Sequence, residues 1–179
     1  MILHGWQGNA PDHWQTWLAE RLQATGAPVC YPVLPDPDHP RLEPWIEALE
    51  TLLPPDREAT VVCHSLACLL WLHHLARGGR QARALLVAPP SDGLDQPELQ
   101  EFFPAPAAEL AAGSRLVCAA DDPYCPGGAA ARYDWGVPVD EIPGGGHLNA
   151  DAGLGPWPEV EAWCLGQASA VTSSRMAPG

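Results

Sequence analysis

The sequence contains no lysine; all nine of its basic side chains are arginine. Catalysis through a lysine Schiff base, a lysine-anchored pyridoxal phosphate or a lysine-bearing phosphate loop is therefore excluded. Positive charge is scarce altogether. Nine basic against 22 acidic side chains leave a formal net charge of −13, which argues against a nucleic-acid or anionic-membrane partner. Long hydrophobic runs are also missing, and the longest, around Leu66, is too short to cross a bilayer. The chain opens on Met1-Ile2-Leu3 without a basic, apolar leader. The six cysteines (Cys30, Cys63, Cys68, Cys118, Cys125 and Cys164) form no C-x-x-C pair and no metal-ligand spacing with histidine. Several fall in apolar runs, where a free thiol behaves as a small hydrophobe. Reduced thiols and a missing leader point to the cytoplasm.

What is present is enough for one domain. A chain of 179 residues buries a sizeable core without staples. No repeat or linker divides it, so a single domain is expected over residues 1–167. Residues 168–179 are small and polar and are expected to fray as a tail. Short apolar runs predict strands at 1–4, 29–31, 60–62, 84–88, 115–119 and 137–142. Between them lie helical stretches at 13–23 (Asp12 near its N-cap, Gly26 past its end), 44–53 (stopped by Pro54-Pro55) and 66–75 (ended by Gly78-Gly79). A short helix at 126–133 and a last one at 158–165 complete the set. This alternation predicts a three-layer α/β/α sandwich around a mostly parallel, doubly wound sheet of about six strands. In such a sheet the active crevice lies beyond the carboxyl ends of the strands.

Residues Thr60 to Leu72 (TVVCHSLACLLWL) organise the rest. A β-branched run passes into an uninterrupted apolar helix with only His64-Ser65 between them. The corner residue of so tight a turn is strained and held beside the positive end of the helix. Taken alone, Ser65 reads as an ordinary helix N-cap. A serine at that corner is also the nucleophile elbow of an α/β-hydrolase, whose pattern is G-x-S-x-G. The partners of a nucleophilic serine are a histidine that removes its proton and a carboxylate that fixes the histidine's tautomer. His147 follows the last predicted strand, on the loop Gly144-Gly145-Gly146, and Asp121-Asp122 follow the fifth. Singly, these read as a loop histidine and a turn-forming aspartate. Together, Ser65, Asp122 and His147 stand at three strand ends in the chain order of α/β-hydrolases. An oxyanion hole needs two backbone N–H groups. Leu66, just after the nucleophile, fits one role; Trp6, after the first strand, fits the other, with Gln7 as its alternative.

Four longer segments carry a family resemblance. They are H-G-W-Q-G-N from His4 with D-H-W at Asp12–Trp14, P-D-P-D-H-P-R-L-E-P-W from Pro35 to Trp45, D-D-P-Y-C-P from Asp121 to Pro126, and G-H-L-N-A-D-A-G-L-G-P-W-P from Gly146 to Pro158. From His4 to about Leu165 the chain resembles the small serine-hydrolase family of retinoblastoma-binding protein 9 and the bacterial YdeN-like proteins. The resemblance implies a compact α/β-hydrolase with a Ser-Asp-His triad, no cofactor and esterase-like activity on small-molecule substrates. In such hydrolases the acid precedes a proline by four positions, and Pro126 thereby selects Asp122 over Asp121.

Two residues depart from the elbow pattern. Cys63 and Ala67 stand where glycines are usual, and they motivate the rival expectation of a catalytically weak or inactive binding module. The segment Pro89–Gly113, where such folds commonly insert a lid, is punctuated by five prolines and leaves no room for a cap domain. Phe102-Phe103 is its one candidate flap. The eight tryptophans are expected mainly in the core, with Trp6 as the exception beside the serine, and His73-His74 is expected on a helix face rather than at a metal.

Overall fold

The structure, a computed structural model, describes residues 1–53 and 59–173. Five strands form one parallel sheet in chain order: β1 (Ile2–Leu3), β2 (Thr60–His64), β3 (Arg83–Val87), β4 (Arg115–Cys118) and β5 (Val139–Glu141). Ile2 pairs with Val62, Val62 with Leu85, Leu86 with Leu116, and Leu116 with Val139. Alternate strand residues face opposite layers, as the pleat requires. Leu3, Val61, Cys63, Ala84, Leu86 and Leu116 pack toward helices α2 (Leu42–Leu52) and α3 (Leu66–Ala76). Ile2, Val62, Leu85, Val87 and Val117 pack toward α1 (Trp14–Ala24) and α5 (Pro158–Cys164). Two core clusters, one on each side of the sheet, make the expected three layers. The short helix α4 (Ala129–Arg132) and a 3-10 turn (Pro97–Phe102) complete the first of them.

The sheet has five strands rather than about six. The segment Val29-Cys30-Tyr31 runs outside β1 and receives one bond from it, Ile2 N–H to the Cys30 carbonyl at 2.8 Å. Pro28 and Pro32 flank this segment and have no N–H to donate, so a ladder does not extend. The chain nevertheless reverses direction across the sheet here. It leaves β1 on one side, passes through this outer segment and returns to β2 on the other. A crevice opens where the order reverses, between the loop after β1 and the corner after β2.

Helix α3 is the central element. Every residue from Leu66 to Leu72 is buried, which an apolar run with no polar stripe predicts. Five of the eight tryptophans are buried in the core: Trp14, Trp45, Trp71, Trp157 and Trp163. The helix at the chain start begins one residue after His13, whose ring, rather than the Asp12 carboxylate, caps it. The expected stop at Pro54-Pro55 lies outside the described residues.

The expected tail needs correction. Residues 174–179 lie outside the described residues, but 168–173 dock. Val171 is fully buried, and its N–H donates to Asp140 Oδ2 at 2.7 Å, on a carboxylate that also pairs with Arg115 at 2.9 Å. The Trp157 indole N–H donates to the Thr172 carbonyl at 2.6 Å. One buried valine with two satisfied polar groups was invisible in a segment whose composition is polar. Ending the chain after Gln167 should therefore cost about 3 kcal/mol, read as a lower urea midpoint. An unchanged midpoint would mean that these contacts contribute nothing.

Candidate active site

The corner between β2 and α3 has the geometry its sequence demanded. Ser65 has φ 55° and ψ −124°, a conformation rare for a residue with a Cβ. It is held there from both sides: its N–H donates to Val87 O at 2.8 Å, and its carbonyl accepts from Cys68 N–H at 2.9 Å. The backbone of Gly5 presses against it. A Cβ on Gly5 would stand 2.7 Å from Ser65 Cβ, so only glycine fits. The two departures from the glycine pattern are accommodated. Among the described non-glycine residues, positive φ occurs at Gln7, Asp36, Ser65, Ala88 and Leu148, not at Cys63 or Ala67. Neither position requires glycine, and both side chains are fully buried in the core beside α3. Burial pushes the Cys63 thiol far above its ordinary range, so it stays protonated.

His147 reaches the serine from the glycine loop. Its Nε2 lies 2.9 Å from Ser65 Oγ, and its Nδ1 lies 3.0 Å from both carboxylate oxygens of Asp122. A carboxylate only accepts, so Nδ1 carries the proton and Nε2 is left to receive one from the serine. Asp122 is buried and is oriented by the Tyr124 N–H at 2.8 Å. The Tyr124 ring lies against the His147 ring, centroids 4.3 Å apart. The adjacent carboxylate does different work. Asp121 accepts the Gly146 N–H at 3.2 Å and so steadies the loop that bears His147. The Trp14 indole N–H also holds that loop, donating to Leu148 O at 2.8 Å.

Between the loop after β1 and the start of α3 stand the two candidate oxyanion donors. Among the described residues, neither Trp6 N–H nor Leu66 N–H has a hydrogen-bond partner. Gln7 N–H, the alternative, donates to Pro37 O at 2.8 Å and is thereby occupied. The proline-rich segment explains itself here. Asp38 O accepts the Trp6 indole N–H at 3.0 Å and Pro35 O accepts that of Trp45 at 2.7 Å, so this loop supports the turn after β1. His4 supports it from behind. Its Nδ1–H donates to Gly5 O at 2.7 Å while its Nε2 accepts Leu34 N–H at 2.8 Å.

The crevice encloses about 290 Å³. Trp6, Pro90, Leu99 and Tyr124 give it apolar surface, and Asn9, Asn149 and Asp151 give it polar surface. Phe102 is not a flap: it is fully buried against Trp45, centroids 5.3 Å apart. Phe103 is half-buried and packs against the same cluster. Among the described residues, no three His, Cys, Asp or Glu side chains are grouped to hold a metal ion.

Three further histidines surround this site, and sequence reasoning assigned them no role there. His13 Nδ1 accepts the Gln15 N–H at 3.2 Å, so its proton is on Nε2, which is buried without a partner among the described residues. Burial, the nearby His147 second, lowers the His13 pKa from 6.5 to about 4. Burial also lowers His4 and, more strongly, His64. The only signal in sequence was position: a histidine between an apolar strand and an apolar helix (His64), and one at a helix start (His13).

A stability profile follows from His13. In the window between its folded value of about 4 and its unfolded value of 6.5, the unfolded chain takes up a proton that the folded chain refuses. Stability is therefore lost as the pH falls through that window, by on the order of 3 kcal/mol. His13→Asn keeps an acceptor for the helix cap but does not titrate, and should flatten the fall in urea-unfolding free energy between neutral pH and about pH 4. An unchanged slope would contradict a neutral, buried His13.

Comparison with known proteins agrees with this architecture. The chain matches the model of the family described as serine hydrolase over residues 1–165. It is 30% identical over 173 residues to the YdeN protein of Bacillus subtilis (strain 168), covering 89% of this chain and 90% of that one. The crystal structure of the ydeN gene product from B. subtilis superposes with a TM-score of 0.75 at 24% identity, covering 93% of this chain and 96% of the other. A YdeN-like protein from Pectobacterium atrosepticum superposes with a TM-score of 0.73 at 22% identity, over 90% of this chain and 85% of that one. The match of the family model across nearly the whole described chain makes this protein a member of the serine hydrolase family.

Proposed function

We propose that the protein cleaves small esters, thioesters or amides through Ser65, His147 and Asp122, by way of an acyl-enzyme. One observation carries the reading: a strained serine whose Oγ lies 2.9 Å from a histidine nitrogen, with that histidine's other nitrogen 3.0 Å from a buried carboxylate. As Ser65 Oγ attacks the substrate carbonyl, His147 Nε2 takes its proton. Asp122 stabilises the imidazolium through Nδ1–H. The negative oxygen of the tetrahedral intermediate accepts from Trp6 N–H and Leu66 N–H, neither of which has another partner among the described residues. Collapse breaks the bond to the leaving group, which departs with the proton from His147. Water, activated by the same histidine, then releases the acyl group and regenerates the serine. The partner is thus a small molecule; the net charge of −13 disfavours nucleic acid. We place the protein in the cytoplasm, on the grounds that all six cysteines are free. The rival reading, an inactive binding module, was motivated by Cys63 and Ala67, and neither has the positive φ that would call for glycine.

A fluorophosphonate probe separates the two readings, since it reacts with an activated serine and not with an ordinary one. Ser65 should be the labelled residue. Ser65→Ala should abolish labelling and lower turnover by on the order of 10⁶; retained activity would move the nucleophile elsewhere. The two neighbouring aspartates should separate sharply. Asp122→Asn removes tautomer control and should cost roughly 10⁴ in turnover, whereas Asp121→Asn still offers an oxygen to Gly146 N–H and should cost much less. The reverse order would assign the acid to Asp121.

The crevice also sets an expectation for substrate size. At about 290 Å³ it lies at the small end for ligand sites, with a 3-10 turn and, among the described residues, no lid beside it. Longer acyl chains would gain little of the roughly 0.8 kcal/mol per buried methylene. Acetyl to butyryl p-nitrophenyl esters should therefore have the highest kcat/KM, with no rise for longer chains. A steady rise toward long chains would contradict an open, shallow site.

A further inference from the structure

Three imidazoles stand in a row behind the crevice. His64 is the middle one, its ring centroid 5.0 Å from that of His147 and 4.9 Å from that of His13. Its Nε2 lies 3.0 Å from the backbone carbonyl of His147. A carbonyl oxygen only accepts, so the proton is on Nε2 and His64 is the donor. This bond joins the residue immediately before Ser65 to the backbone of the residue whose ring faces Ser65. The span it crosses has little stiffness of its own. His147 follows Gly144, Gly145 and Gly146, the first and last at φ 66° and 52°, in a run with no side chain to restrict it.

We propose that His64 is a positioning residue, whose Nε2–H pins the His147 backbone so that the imidazole stays within reach of Ser65 Oγ through acyl transfer. The inference rests on the reading of Ser65 and His147 as nucleophile and base. Its electrostatics suit the task. His64 faces His13 from the start of α1 and His147 from the glycine loop, with Asp122 beyond His147 and the Trp14 ring across it at 5.9 Å. Burial first, then these two histidines, hold its pKa well below the ordinary value. It therefore stays neutral while His147 accepts a proton, and no second positive charge opposes the imidazolium.

Two substitutions separate positioning from packing. His64→Phe keeps the ring and loses the donor; His64→Gln loses the ring and keeps an N–H at nearly the same reach. We expect Phe to lower kcat by about tenfold to a hundredfold with little change in KM, and Gln to keep most of the parent kcat. A packing role predicts the opposite order, and that order, or a Phe variant equal to the parent, would overturn the proposal. Ring ¹⁵N NMR on the parent protein reads the bond without any turnover. It should show His64 as the Nε2–H tautomer from neutral pH down to about pH 5. A proton on Nδ1, or ordinary titration, would overturn the proposal directly. If NMR shows the bond intact while Ser65 takes no fluorophosphonate label and no ester is hydrolysed, the catalytic reading fails, and the positioning role falls with it.

Discussion

The structure depends on one backbone conformation. Ser65 at φ 55° costs about 1–3 kcal/mol relative to a relaxed residue, and it persists because its surroundings leave no alternative. Strand β2 before it is locked between β1 and β3, and α3 after it is buried along its first seven residues. Together they fix both ends of the turn. The same constraint dictates the neighbour. Gly5 approaches so closely that a Cβ there would overlap Ser65 Cβ, which brings the turn after β1 alongside the start of α3. In the proposed mechanism the Trp6 and Leu66 N–H groups, one from each side of that contact, serve the same oxyanion. No single element could hold both.

Around that point the polar groups are sorted by what each can donate or accept. Three histidines have partners that fix their tautomers without a carboxylate: His4 between Gly5 O and Leu34 N–H, His13 on Gln15 N–H, His64 on His147 O. His147 is the one of the group that rests on an aspartate. Burial disfavours charge on the first three. The two adjacent aspartates divide in the same way, one holding the ring and the other holding its loop.

Much of this was legible in the sequence because it is written in local pattern. The strand-to-helix corner at Ser65, the glycine loop under His147 and the alternation of strands and helices each need only a short window to be read. The apolar α3 and the five buried tryptophans are likewise what a central helix and a small core require. What was not legible depends on contacts distant in the chain. The outer segment at Cys30 reads as a strand until its flanking prolines meet β1 and have no N–H to give. The docking of Val171 depends on Asp140 and Trp157, far from it in sequence. The bond from His64 to His147 joins residues 83 apart. Asp121 and Asp122 are chemically identical; the spacing to Pro126 pointed to Asp122 for the ring, whereas the hold of Asp121 on the Gly146 N–H shows only in the fold.

The central claim is that Ser65 becomes covalently acylated. Rapid quenching during turnover of p-nitrophenyl acetate, followed by peptide mass mapping, tests it at the atom concerned. The account predicts one acetyl group on the peptide that contains Ser65, formed in a burst and lost again on further incubation. An acetyl group on another side chain, or turnover with no covalent acyl group at Ser65, would contradict it.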